Sequence, residues 1–359
     1  MIYQDPIYGK VKIETPVILE LIKSPPLQRL KGIPQLGYTS VYFPEVSHTR
    51  FEHSLGVFIL LKKFGASLKE QVAGLIHDVS HTVFCHIGDY IFDAGSETKH
   101  TFQDDIFKDF VLKTEIPKIL RKFNFPLNYI LNEENFPLKE EPLPDLCADR
   151  IDYFLRDGFY FKKLSKGGIK EILDNFTILE NRWVLKSIKV ARNFARKYLL
   201  LNRLYWSSPE AGVMFKTIGE TIKYALSKGV LKEKDIFTTD KEVLEKLKKF
   251  EGKDKRFDLL LKRMQGKIKW KLDKRNYGIS VKVKSRVVDP LIMTSRRDES
   301  LLHPPSERSA AKVEKKEPSL TSLRSGNQKL KRLSKIDKNW AEIIGKESKP
   351  KEYFIKFEL

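Results

Sequence analysis

Apolar residues recur at helical spacing through the first part of the chain. Phe51, Leu55, Phe58 and Ile59 mark one face of a helix that begins near residue 51 and runs through 61. Ser67, with Glu70 three positions on, has the form of a capping box and predicts a second helix from 68 to about 79. Only residues 65–67 separate the two, so they are expected as an antiparallel pair. A third helical stretch covers 146–157. There Leu146, Ile151, Phe154 and Leu155 supply packing, while Asp149, Tyr153 and Asp157 share a face at i, i+4 and i+8. Two extended runs, 176–179 and 182–185, flank Glu180-Asn181 as a hairpin. Long helices are expected over 187–206 and 209–227, and Lys-rich ones near 240–249 and 254–265. Strand-like runs follow at 277–284, 286–293 and 353–359. Ser, Lys, Arg, Glu and Pro dominate 294–337, which reads as a mobile or extended arm. The pattern predicts a mainly α fold with a smaller α+β C-terminal region. Residues 1–230 would form the helical core and 231–359 a basic α+β region.

Composition sets limits on this picture. Of 359 residues 41% are apolar and 32% charged, enough to bury a core and to exclude a wholly disordered chain. The uninterrupted apolar runs are short, and none approaches the roughly 20 residues of a membrane-spanning helix. No basic segment followed by an apolar one opens the sequence, so no secretory signal is expected. Cys85 and Cys147 are too few for a disulfide framework or a four-cysteine zinc site, which makes a reducing, cytoplasmic setting the default. The net charge of +20 is uneven. Residues 1–159 hold 18 basic and 22 acidic side chains, leaving 49 and 25 for the remainder, a net +24. A basic half of this kind attracts polyanions, or it is a Lys/Glu-rich solvated surface.

Six of the seven histidines fall between His48 and His100. Packing alone does not explain so many imidazoles interleaved with aspartates. In the antiparallel pair, His53 lies in the first turn of one helix and His77-Asp78 in the last turn of the next, so their side chains converge. Mixed nitrogen and oxygen donors suit a borderline or hard divalent ion: Mn, Fe, Ni, Zn or Mg. The remaining ligand must come from afar, and the acidic face carrying Asp149 is the candidate.

His53, then His77-Asp78, then Asp149 resembles the H…HD…D signature of the HD-domain metal-dependent phosphohydrolases. The flanking segments 27–30, 35–37, 48–57, 77–86 and 149–157 narrow the resemblance to the branch of deoxynucleoside triphosphate triphosphohydrolases, without the SAM domain of some relatives. The resemblance covers residues 1 to about 230 and implies a helical core around a metal. It implies His53, His77, Asp78 and Asp149 as metal ligands. His81 and His100 would stand near the scissile phosphate, with Asp89 orienting His100 as proton donor. Gln35, Arg50, His86, Arg150, Tyr153 and Asp157 would contact substrate. Two departures are visible. Ser80 and Thr82-Val83 replace a common glycine and Gly-Pro around His81, and Tyr205-Trp206-Ser207 keeps the tyrosine of a Tyr-x-His while losing the histidine.

The leading expectation is metal-assisted attack of water on the phosphate of a nucleotide, most of all a (deoxy)nucleoside triphosphate. A homo-oligomer, dimer or tetramer, is the partner the resemblance implies. Two other classes stand beside it. One is a nucleic-acid-binding protein using its basic half, with weak, salt-sensitive association with DNA or RNA. The other is an HD-type phosphodiesterase acting on a cyclic or dinucleotide messenger.

Overall fold

A computed structural model describes residues 1–92, 95–294 and 329–358. The fold is mainly α, as expected, with small sheets at its edges. At its centre lies the helix Arg50–Lys63, buried on nearly every side. Thr49 and Glu52 close a capping box at its N-terminus: the Thr49 backbone N–H donates to the Glu52 carboxylate (2.8 Å), and the Glu52 N–H returns to Thr49 Oγ1. Helix Leu68–Ile76 runs back beside it, the expected antiparallel pair. Ser67 accepts from the Glu70 N–H, but Glu70 does not complete a box there. Its carboxylate reaches instead to the backbone N–H groups of Leu138 and Lys139 at 2.7 and 3.0 Å. This ties the segment entering helix Ala148–Tyr160 to the central pair.

Two apolar clusters meet on the central helix. Phe51, Leu55, Phe58 and Ile59 pack toward helices Pro16–Lys23, Leu68–Ile76 and Ile116–Lys122. Val57, Leu60 and Leu61 pack toward Ala148–Tyr160, Ile188–Leu201 and Pro209–Ser227. Packing does not change at residue 230. Leu231, Ile236, Val243, Leu247, Phe257 and Leu261 lie in the second cluster, and the Val83 N–H donates to the Ile236 carbonyl.

Strands β1 (Ile2–Asp5) and β2 (Gly9–Lys12) form an N-terminal hairpin. The expected hairpin β3 (Phe176–Leu179) and β4 (Arg182–Leu185) is present, with Glu180 and Asn181 both at positive φ as its two-residue turn requires. β5 (Trp270–Leu272) and β6 (Ile279–Val283) flank the last strand, β9 (Lys351–Phe357), in an antiparallel three-stranded sheet. β7 (Leu291–Thr294) pairs in parallel with β4 and antiparallel with β8 (Lys329–Arg332).

Three expectations need correction. The run 286–293 is strand only at Leu291–Thr294. Upstream of it the Arg286 N–H donates to Asn202 Oδ1 and the Asp289 N–H to the Pro144 carbonyl, so neither serves a ladder. The helix expected to 206 ends as regular α at Leu201 and continues as a π turn over Asn202–Trp206. Of the arm over 294–337, residues 295–328 lie outside the described residues. Its end is ordered by pairing: β8 is followed by helix Leu333–Ile336, with Leu333 buried.

Gly56 sits where the central helix crosses Ala148–Tyr160. A Cβ there would fall inside the Asp152 carboxylate and Arg156 guanidinium. Gly56→Ala should therefore lower stability by about 1–3 kcal/mol, read as a lower melting temperature by calorimetry.

Candidate active site

The capping box at Thr49 places Arg50 and His53 in the first turn of the central helix, both buried. Helix Leu68–Ile76 ends at His77, and Asp78 follows in the turn. Helix Ala148–Tyr160 brings Asp149 up in its first turn. The four side chains converge. His53 Nε2 lies 2.7 Å from Asp149 Oδ1 and 3.7 Å from Asp78 Oδ2, and His77 Nε2 lies 3.3 Å from Asp78 Oδ1 and 3.5 Å from Asp149 Oδ1.

These residues fit a divalent ion. His77 Nδ1 donates to the Gly74 carbonyl at 2.8 Å, which leaves the lone pair on Nε2, and that buried atom has no hydrogen-bond partner. His53 Nδ1 donates to Asp152 at 2.8 Å and turns its Nε2 the same way. Each metal-directed imidazole thus has the outer hydrogen bond that fixes its tautomer. Ligand atoms roughly 2.0–2.2 Å from one ion stand a little over 3 Å apart, and these lie 2.7–3.7 Å apart. Charge agrees. Burial alone raises a carboxylate pKa, but Arg50 and His77 hold Asp78, and His53 and His77 hold Asp149, well below the usual range. Burial works against a charge on His53, yet Asp149 and Asp152 outweigh it and raise its pKa to about 10. The site favours positive charge at that point.

Behind His53 runs a buried polar chain. Arg156 donates to Asp152 at 2.9 and 3.0 Å and to Asp5 of β1 at 3.2 Å, and the Tyr8 hydroxyl donates to Asp152 at 2.8 Å. Asp152 and Arg156 form an i, i+4 pair visible in the sequence; Asp5 and Tyr8 carry no local signal of this partnership.

The cluster opens into a cavity of about 240 Å³. Eleven of the thirteen side chains expected at the site border it: His77, Asp78, Asp149, His81, His86, His100, Gln35, Arg50, Arg150, Tyr153 and Asp157. His53 lies behind Asp149, fully buried. Asp89 lies behind His86. Three imidazoles form a row: His81 Nδ1 stands 3.2 Å from Asp78 Oδ1, the His81 and His86 rings are 5.2 Å apart, and those of His86 and His100 are 4.8 Å apart.

The expected Asp89–His100 pair is not formed. Asp89 Oδ1 accepts the Phe102 and Ser96 N–H groups, and its Oδ2 lies 3.7 Å from His86 Nδ1. The carboxylate is spent on holding the 96–102 loop, so it faces the imidazole on its own turn. His100, at positive φ, keeps both ring nitrogens without a partner among the described residues. Burial, then His86 and Arg286, push its pKa well down, so its ring is neutral. For His86, burial opposes protonation, but Cys85 and Asp89 raise the pKa to about 9. Of the three rings in the row, His86 is the one whose pKa is raised.

The basic and aromatic groups are held as well. Arg50 donates to Asp78 and Cys85. Arg150 gives two bonds to the carbonyls of Glu141 and Asp145, fastening the loop before its own helix. The Tyr153 and Tyr198 hydroxyls share a hydrogen bond. Asp157 accepts the Trp206 indole N–H at 2.7 Å and lies 3.0 Å from His48 Nε2. The π turn presents Tyr205 and Trp206 to the cavity, with Tyr205 stacked on Phe161. Sequence reading missed Trp206, Glu140, Lys284 and Arg286, all of which border the cavity.

A family model described as "HD domain" matches residues 50–157. The chain is 35% identical over 241 residues to the metal-dependent phosphohydrolase cns2 of Cordyceps militaris, covering 65% of this chain and 69% of that one. It is 29% identical over 204 residues to the deoxynucleoside triphosphate triphosphohydrolase SAMHD1 of Gallus gallus, covering 44% of this chain and 33% of that one. In fold it resembles the crystal structure of a phosphohydrolase from Bacteroides thetaiotaomicron, with a TM-score of 0.68, 18% identity and the whole of both chains covered.

His77→Ala should abolish tight metal binding, and Asp152→Asn should weaken it by about 10–100-fold. Elemental analysis and metal titration check both. Undiminished metal content in the His77 variant would remove it from the ligand set.

Proposed function

Because the chain belongs to the HD-domain superfamily of metal-dependent phosphohydrolases, we propose that it hydrolyses nucleotides, and among them (deoxy)nucleoside triphosphates. The observation that carries this reading is the imidazole row that leaves the metal-ligand cluster and continues into the cavity. A single phosphate at the cluster would need His81 at most; three consecutive imidazoles suit a chain of phosphoryl groups. The name of the Gallus gallus relative points to the same substrate class.

His53, His77, Asp78 and Asp149 would hold a divalent ion, which when bound would supply an activated water and polarise a phosphoryl oxygen. The chain's own residues do the rest. His81 and Arg50 flank Asp78 and face phosphoryl oxygens next to the cluster. His86, whose protonated form Cys85 and Asp89 favour, gives its proton to the leaving oxygen; a well-placed acid of this kind is worth about 10²–10⁴-fold in rate. Neutral His100 donates a hydrogen bond without adding charge. At the aromatic end, Tyr153, Tyr205 and Trp206 enclose the sugar and base, and Gln35 offers a buried amide oxygen that has no partner among the described residues. Asp157 accepts a sugar hydroxyl while Trp206 and His48 fix its carboxylate.

Incubation with a panel of nucleotides and Mn, Fe, Ni, Zn or Mg, with products separated by chromatography, tests the reading. Release of intact tripolyphosphate or of smaller phosphates from nucleoside triphosphates is the expected result. Turnover confined to cyclic or dinucleotide substrates would replace it with the phosphodiesterase alternative.

His86→Ala and Asp89→Asn should each retain metal and lower kcat by about two orders of magnitude. Rates equal to the parent's in both variants would take the pair out of the mechanism.

A further inference from the structure

One wall of the cavity has no task in this mechanism. Between β6 and β7 the chain crosses the cavity at residues 284–286. Ser285 is buried and clamped. Its hydroxyl donates to the Glu347 carbonyl at 2.6 Å and accepts from the Asn202 amide at 3.1 Å, while Asn202 Oδ1 takes the Arg286 N–H at 3.0 Å. Asn202 opens the π turn that carries Tyr205 and Trp206, so both walls are fixed to one residue. With Ser285 held away from the cavity, its neighbours Lys284 and Arg286 both border it.

Among the described residues neither cation has an ion-pair partner in contact; Asp104 and Glu140 favour the Lys284 charge only from a distance. Among the described residues the Lys284 ammonium has no hydrogen bond or ion pair. The Arg286 guanidinium has one long contact, 3.5 Å, to the Lys284 carbonyl. Burial, then Arg286, lowers the Lys284 pKa to about 8. Two half-buried like charges cost free energy that an anion between them would offset. Both cations also act on His100, the last ring of the imidazole row, whose nitrogens lack partners. The row therefore runs from the metal-ligand cluster to the unpaired cations.

We infer that Lys284 and Arg286 form an anion subsite that holds the far end of a polyphosphate chain whose near end lies at the His53, His77, Asp78 and Asp149 cluster. The planar guanidinium takes two phosphate oxygens at once and the ammonium acts as a point charge. The subsite selects triphosphates over monophosphates. It rests on the nucleotide reading of the same cavity.

The test is calorimetric binding to the full chain in the presence of Mn. The probes are an α,β-imido nucleoside triphosphate, the matching monophosphate and inorganic tripolyphosphate. The variants are Lys284→Met and Arg286→Gln, which remove the charge while keeping an unbranched side chain, and their combination. Each charge removed should weaken the triphosphate analogue and tripolyphosphate by about tenfold or more and leave the monophosphate nearly unchanged. Without ligand the double variant should melt at or above the parent temperature, since a repulsion is gone. Equal loss for triphosphate and monophosphate, or no loss for either, overturns the subsite. If the parent binds tripolyphosphate but no nucleotide, and the variants lose it, the subsite stands and the nucleotide reading falls.

Discussion

The site depends on a buried line of alternating charge that ends on one imidazole. Asp5, Arg156, Asp152 and His53 follow one another at hydrogen-bond distance, all nearly or wholly without solvent contact. Charges in such a place are tolerable only when each is matched and its remaining lone pairs are used. Here Tyr8 and the backbone N–H groups of Ile7 and Tyr8 supply the missing donors to Asp152 and Asp5. The result is an imidazole with one tautomer and one direction. Removing any member would leave its neighbour buried and unpaired, so the line acts as a unit.

The rest of the fold can be understood as a frame for that line. Gly56 exists because Asp152 and Arg156 occupy the space beside it. The N-terminal hairpin is anchored by the same guanidinium. Glu70, at the capping-box position of its own helix, is drawn off to fix the approach to Asp149. Local preference yields to the positioning of distant ligands at each of these points.

Much of the site was legible because its chemistry is rare in this chain. Six histidines within 53 positions and three helical stretches pointed to His53, His77, Asp78 and the acidic face of 146–157, and the family resemblance singled out Asp149 on that face. Helical periodicity also put Asp149, Tyr153 and Asp157 on the wall they share. What stayed hidden depends on contacts that sequence spacing does not encode. Asp89 sits 11 positions before His100, and a loop returning between them made the pair plausible; backbone N–H groups captured the carboxylate first. Lys284 and Arg286 looked like two more charges in a basic half, and only the clamp on Ser285 turns them inward. Asp5 meets Arg156 across 151 positions, a separation at which no periodicity operates.

The parallel pairing of β4 with β7 has a bearing on how the molecule is made. More than a hundred residues separate Val184 from its partner Leu291, and the segment between them carries the final cavity wall. A ribosome releases His53, His77, Asp78 and Asp149 once residue 149 has emerged, well before residue 286. Domains acquire structure as they are synthesised, and long-range pairings form late. The side chains that converge at His53 are thus made before the residues that close the last wall of the cavity. The order in which the two sides of the cavity are made is written into the strand topology.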